Sequence, residues 1–339
     1  MTAQADISRA GARTRNLALD LTKGVLVIFM VAYHSLNYST QRELGFAYFA
    51  FLPPSFILIT GFLISNHYLA RYSKSPSEVT RRLIIRGAKL LLIFTALNVA
   101  AMTLMHSRAR GEMPGLPLFF DHWFDIYVTG NARLATFEIL LPIAYVLLLA
   151  PALLWVGTRS RYALASLSVI TVVGLMLLER RGIVWNGVQM LSAGLIGILL
   201  GLITRTALDR IARWGWLAIP CYALCFWLAK DIGYPYPLQI IAAVLVLIAS
   251  YSLCALLSAS WWIVRRVEVL GQYSLIAYIT QIAILVFLSR AIGMVDPQSL
   301  EFLGLFTGAL LLTILAVEAI NWVRAKSSPA DVAYKAVFA

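Results

Sequence analysis

Apolar residues run in blocks near 20 long from about residue 21 to residue 323, each closed by a short polar or basic interval. Blocks of that length match the roughly 30 Å of hydrocarbon that an α-helix crosses at about 1.5 Å per residue. Ten spans are predicted, at about 21–39, 46–69, 83–106, 132–156, 162–178, 183–204, 214–230, 236–258, 270–289 and 299–323. The fold class is all-α, a polytopic transmembrane helix bundle. Pro53, Pro54, Pro142 and Pro151 interrupt some blocks, which membrane helices tolerate where neighbours re-satisfy the freed backbone groups. The expected organisation is a tail at 1–20, one membrane domain at 21–323 and a second tail at 324–339. No 20- to 50-residue repeat stands out, nor does an inverted pair of broken helices of the kind transporters use.

Composition agrees with the pattern. The chain has 339 residues, 60% hydrophobic and 13% charged, against about a quarter charged in soluble domains. The net charge of +12 would suggest nucleic acid in a soluble protein, but here it sorts by side. Arg71, Lys74, Arg81, Arg82 and Arg86, then Arg159 and Arg161, then Arg205, Arg210 and Arg213, then Arg265 and Arg266, and finally Arg324, Lys326 and Lys335 fall on one side of the predicted bundle. The other side holds fewer cations and carries Glu43, Glu112, Asp121, Asp125 and Asp296. By the positive-inside rule both termini are cytoplasmic. The charge is therefore a topological signal and no nucleic acid partner is expected; membrane lipid is. The first block is too long for a cleavable leader and continues into Tyr33, His34 and Asn37, so it reads as a retained helix. Cys221, Cys225 and Cys254 sit in apolar stretches and read as inert thiols.

Chemistry concentrates in the first span. Asp20, Lys23 and Gly24 open it, and His34 follows eleven residues after the lysine. Eleven residues are about three turns, so Lys23 and His34 share a helix face roughly 16 Å apart. An imidazole at membrane depth is costly and normally faces protein or a wet cavity. Tyr33, Ser35, Asn37 and Tyr38 make the end of this helix polar, which suits such a cavity. A neutral imidazole there can act as general base toward a hydroxyl. The plainer readings are an interhelical hydrogen bond for His34 and a helix-end ion pair for Asp20 and Lys23. Arg81, Arg82, Arg86 and Lys89 are either topology signal or a cationic seat for phosphate oxygens.

Glu138 stands near the start of span four, at the outer interface or facing the His34 cavity. Ser274, Tyr278 and Gln281 fall at i, i+4 and i+7 in span nine, a polar stripe that must turn inward. It is a candidate second wall of the cavity. Asn98, Trp185, Asn186 and Gln189 read as interhelical hydrogen bonders, and His67 and His106 as interfacial. Asp121, His122 and Asp125 lack tight metal-ligand spacing, so no metal is expected.

Together these segments resemble the membrane-bound acyltransferases: acyltransferase family 3, the periplasmic-glucan succinyltransferases and the heparan-glucosaminide acetyltransferases. The similar stretches are Asp20-Leu-Thr-Lys23-Gly24 with His34, Phe51-Leu-Pro-Pro-Ser55 through Gly61, Phe137-Glu-Ile-Leu-Leu-Pro142-Ile-Ala-Tyr145, and Leu270-Gly-Gln-Tyr-Ser274-Leu-Ile-Ala-Tyr278. Two positions depart from the family pattern. Lys23 replaces an arginine, keeping charge without the bidentate fork, and Gln281 stands where histidine is frequent. The resemblance implies an integral protein of a bacterial-type cytoplasmic (inner) membrane that moves an acyl group from cytoplasmic acyl-CoA to a hydroxyl of a glycan or related acceptor on the outer face. Acetyl-CoA is the first expectation for the donor and succinyl-CoA the second. His34, Lys23 and Asp20 would be catalytic, and Lys23, Arg81, Arg82 and Arg86 would hold the phosphates of the donor. Tyr38, Asn37, Glu138, Ser274, Tyr278 and Gln281 would line the substrate site. The rival reading is a proton-coupled transporter or flippase for a small metabolite or lipid-linked sugar, using the same cavity with His34 on a proton path.

Overall fold

A computed structural model describes residues 16–104, 116–130, 135–203, 205–232, 235–257 and 260–338. Among them every regular element is helical, and one isolated bridge pairs Ser39 with Val295. In chain order these are α1 (Leu17–Leu36), α2 (Glu43–Phe49), α3 (Leu52–Tyr72), α4 (Pro76–Leu104), α5 (Leu116–Asp121), a π-helical turn at Asp125–Thr129, α6 (Leu140–Arg159), α7 (Arg161–Arg180), α8 (Asn186–Leu200), α9 (Arg205–Trp214), a 3-10 turn at Gly215–Leu217, α10 (Ala218–Ile232), α11 (Tyr236–Ala255), α12 (Trp262–Gln272), α13 (Ser274–Ile292), α14 (Leu300–Lys326) and α15 (Ser328–Phe338).

The all-α membrane bundle is as expected, and the spans differ from the expectation in detail. Eight helical segments among the described residues are long and apolar enough to cross a membrane, one of them running from the end of α9 through the 3-10 turn into α10 (Arg210–Ala229). A ninth forms if α2 and α3, bent by 41°, act as one. The segment expected at 183–204 contains a regular helix of only 15 residues, α8. The segment at 214–230 is interrupted by the 3-10 turn, and the one at 270–289 begins after a break at Tyr273. Helix α1 starts before residue 21 because Asn16 caps it, its side chain accepting from the Leu19 amide at 3.2 Å. The tail expected at 324–339 is mostly helix α15. Two positions named from sequence, His106 and Glu112, lie outside the described residues.

Small residues set the closest crossings, as they do where lipid tails offer helices no hydrophobic drive to associate. A Cβ added at Gly61 would overlap the Gly194 carbonyl oxygen, and one at Gly197 the Leu58 carbonyl, so α3 and α8 meet backbone to backbone. The same happens between α1 and α12: a Cβ at Gly24 would strike Val267, and one at Gly271 the Asp20 carbonyl. All nine tryptophans are roughly half exposed or more. None is used to fill the core, which fits indole rings anchored at the membrane–water boundary.

Contacts gather one end of the bundle. Asn16 donates to Tyr251 at the end of α11. Ser252 donates to the Ala212 carbonyl of α9. Arg324 near the end of α14 donates to Tyr273 at the α12–α13 break. Lys23, Arg213, Arg266 and Arg324 therefore belong to one basic end. At the opposite end Ser39 pairs with Val295, so α1 and α13 run in the same direction.

Candidate functional site

Two segments far apart in sequence meet at the start of α1. Gly24 and Gly271 allow the contact, and the Asp20 backbone is packed against Gly271. The Lys23 ammonium lies 2.5 Å from the Asp20 carboxylate, with the two side chains 17% and 10% exposed. An ion pair this enclosed is strongly disfavoured from losing one member, because the other charge would be left buried. Gly24 thus accommodates another helix, α12.

Three turns along α1, His34 is half-buried. Its ring centroid is 5.9 Å from that of Tyr278 on α13 and 5.0 Å from that of Tyr33. The Asn37 Nδ2 position lies 3.4 Å from Nδ1 of the imidazole. Which nitrogen carries the proton depends on how that amide is turned. An N–H aimed at Nδ1 fixes the proton on Nε2, whereas a carbonyl oxygen aimed at Nδ1–H frees Nε2 as a base. Tyr38 is buried and belongs to the same core cluster as Tyr278.

Gln281 lies one turn beyond Tyr278 on α13 and is fully buried, yet neither its Oε1 nor its Nε2 has a partner among the described residues. An unpaired amide in a medium without water costs several kcal/mol, so such a group is retained for a purpose or a guest. Ser274 is half-buried at the first turn of α13.

The wall opposite Tyr278 comes from the turn before α6. Phe137 has φ +59°, the left-handed region that costs a bulky residue of order 1–3 kcal/mol. Its ring stands edge-on to Tyr278 with centroids 5.8 Å apart. Asn98 of α4 holds this turn. Its Oδ1 accepts from the Thr136 amide at 2.7 Å and the Thr136 hydroxyl at 3.1 Å, while its Nδ2 donates to the Thr136 carbonyl at 2.9 Å and to the Phe94 carbonyl at 2.9 Å. Asn98 is the hydrogen bonder between elements that its place in an apolar span implied, whereas nothing in the sequence marked Thr136 or Phe137 as site walls. An asparagine inside an apolar span was the available signal; the strained φ has none.

Other expected residues lie apart from this cluster. Glu138 is exposed in the turn that follows Phe137. Arg81, Arg82 and Arg86 are exposed on α4, which packs on α6 and α3. Arg82 pairs with Glu78 at 2.5 Å and Arg86 donates to the Tyr68 hydroxyl at 2.6 Å. None of the three bonds to Lys23 or His34. Asp121, His122 and Asp125 form no metal-binding group, and no cluster of three or more such ligands occurs among the described residues.

Residues 16–318 match the acyltransferase domain of acyltransferase family 3. The chain belongs to this family. No curated protein and no solved structure matches it. The match begins at the residue that caps α1 and ends eight residues short of the end of α14. The matched region thus takes in the helices of the membrane bundle from α1 through most of α14.

Proposed function

We propose that this acyltransferase moves an acyl group, acetyl in the first instance and succinyl in the second, from acyl-CoA at the basic, cytoplasmic end of the bundle to a hydroxyl of a glycan or related acceptor entering from the outer end. The supporting observation is the packing of His34 on α1 against Tyr278 on α13, one turn before the buried and unpartnered Gln281. With the Asn37 amide turned so that its Oδ1, in place of Nδ2, accepts from Nδ1–H, His34 Nε2 takes the proton of the acceptor hydroxyl. The freed oxygen attacks the thioester carbonyl, the tetrahedral intermediate expels the CoA thiolate, and that thiolate takes up a proton. The Gln281 amide can donate to the carbonyl oxygen as charge develops there, the type of contact worth about 3 kcal/mol in other acyl transfers. General-base assistance contributes about 10²–10⁴-fold, and holding both substrates in one site contributes further. Lys23, held by Asp20, is a fixed charge at the donor end; Arg81, Arg82 and Arg86 lie on the same side and would meet the donor's phosphates at the surface. Tyr38 and Glu138 are assigned to the acceptor path; Ser274, at the first turn of α13 next to Tyr273, stands at the donor end and would contact the donor.

The test is transfer from radiolabelled acetyl-CoA, then succinyl-CoA, to candidate oligosaccharides by purified protein in detergent. Labelled glycan is expected with the native chain and none with His34→Gln, at equal folded yield. Full transfer by His34→Gln would remove the base. Proton-driven uptake into vesicles without any acyl transfer would favour transport.

A further inference from the structure

A cavity of about 110 Å³ opens at the basic end, between α1, α3, α8, α9 and α11. Among its lining residues are Leu58, Phe62, Leu208, Ile211 and Leu247. The polar side chains on its wall are Thr22 and Tyr251, and both are engaged: Thr22 Oγ1 donates to the Ala18 carbonyl at 2.7 Å, and the Tyr251 hydroxyl accepts from Asn16 at 3.1 Å. No charged side chain lines this wall to hold a nucleotide or a carboxylate, and two hydroxyls are too few polar groups for a sugar. Apolar cavities of comparable size stay dry and take hydrocarbon guests. The space is open-sided and too small for a whole fatty chain, so a chain seated in it must run on out of the mouth.

The roof of the cavity tells what such a chain is attached to. Helix α9 turns Leu208 and Ile211 toward the cavity and leaves Arg210 and Arg213 exposed. Over its length it carries three arginines and one aspartate. Trp214 ends it and Trp216 follows, 58% and 51% exposed. An apolar face, a basic face and flanking tryptophans describe a helix lying in the membrane interface, where anionic headgroups are its natural counterions. Ser252 ties its Ala212 carbonyl to α11, so the roof is fixed to the wall.

We propose that this groove binds one anionic phospholipid of the leaflet at the basic end, with one acyl chain beneath Ile211 and the phosphate on Arg210 and Arg213. The site is independent of the acyl-transfer chemistry, since it uses none of His34, Tyr278 or Gln281.

The test is native mass spectrometry of the purified full chain titrated with phosphatidylglycerol or phosphatidylcholine of equal chain length. One phosphatidylglycerol per chain is expected to be retained at least tenfold more strongly than phosphatidylcholine. Arg210→Gln with Arg213→Gln should bring the two lipids level. Ile211→Trp should weaken both by filling the cavity. Each variant is checked for native helix content and monodispersity, and because the two act on different halves of the site, misfolding of one leaves the other decisive. Equal retention of both lipids by the native chain, or retention indifferent to both variants, overturns the proposal. So does palmitoyl-CoA binding the groove more tightly than phosphatidylglycerol, which would make it a donor site.

Discussion

Replacing Asn98 by leucine tests the strut that holds the wall of the candidate site. The change keeps the branched shape of the side chain and the helix of α4 but removes four hydrogen bonds between 2.7 and 3.1 Å. The Phe94 carbonyl lies within α4, so little is lost there. The Thr136 amide and carbonyl lose their side-chain partner, at about 1–3 kcal/mol each where nothing replaces it. The left-handed Phe137 backbone then loses the restraint that offsets its own strain. Added apolar burial of leucine returns about 1 kcal/mol. The expected net destabilisation is about 2–4 kcal/mol. Thr136→Ala removes only the hydroxyl bond, from a half-buried residue, and should cost less than about 1 kcal/mol. Unfolding in mixed micelles of mild detergent and dodecyl sulfate, followed by circular dichroism, measures both. If the two variants come out within experimental error of each other, water replaces Asn98 freely and the strut does not hold Phe137.

The α1–α12 crossing makes a second contrast. Gly271→Val would drive a methyl-bearing carbon into the Asp20 carbonyl and within 2.8 Å of the Gly24 nitrogen, both backbone, so the helices must separate. A loss of about 2 kcal/mol or more is expected in the same assay, while Gly308→Val on α14, with nothing within 4 Å, should be neutral. At the C-terminal helix, hydrogen bonds from Lys335 and then Arg324 hold the Asp331 carboxyl below its ordinary range. A lowered folded value means that this contribution to docking α15 is complete above the unfolded carboxylate range, near pH 4, and disappears as pH falls through the folded value. A spin label at Val332 should therefore stay equally restricted from pH 8 to pH 5 and loosen only in stronger acid. Asp331→Asn should loosen it at every pH, and a native label that loosens between pH 8 and pH 6 would contradict the assignment.

The blocks of apolar residues were enough to place a helical bundle in a membrane, because a bilayer leaves the backbone few other ways to satisfy its hydrogen bonds. The pairing of Asp20 with Lys23 and the shared face of Lys23 and His34 were likewise legible, since helix geometry fixes neighbours three, four and eleven residues apart. So was the inward stripe of Tyr278 and Gln281. Helix ends were less so: the break at Tyr273 and the short α8 fall inside apolar runs that hydropathy cannot divide. What only the tertiary structure decided is which stripe faces which. It brought Gly271 against Gly24, set Tyr278 beside His34, and left Arg81, Arg82 and Arg86 on a helix packed elsewhere. The clamp of Asn98 on the Phe137 turn depends on contacts 38 residues apart in sequence. A local pattern specifies the face that a helix buries, but the identity of the neighbour is settled by packing of the whole bundle.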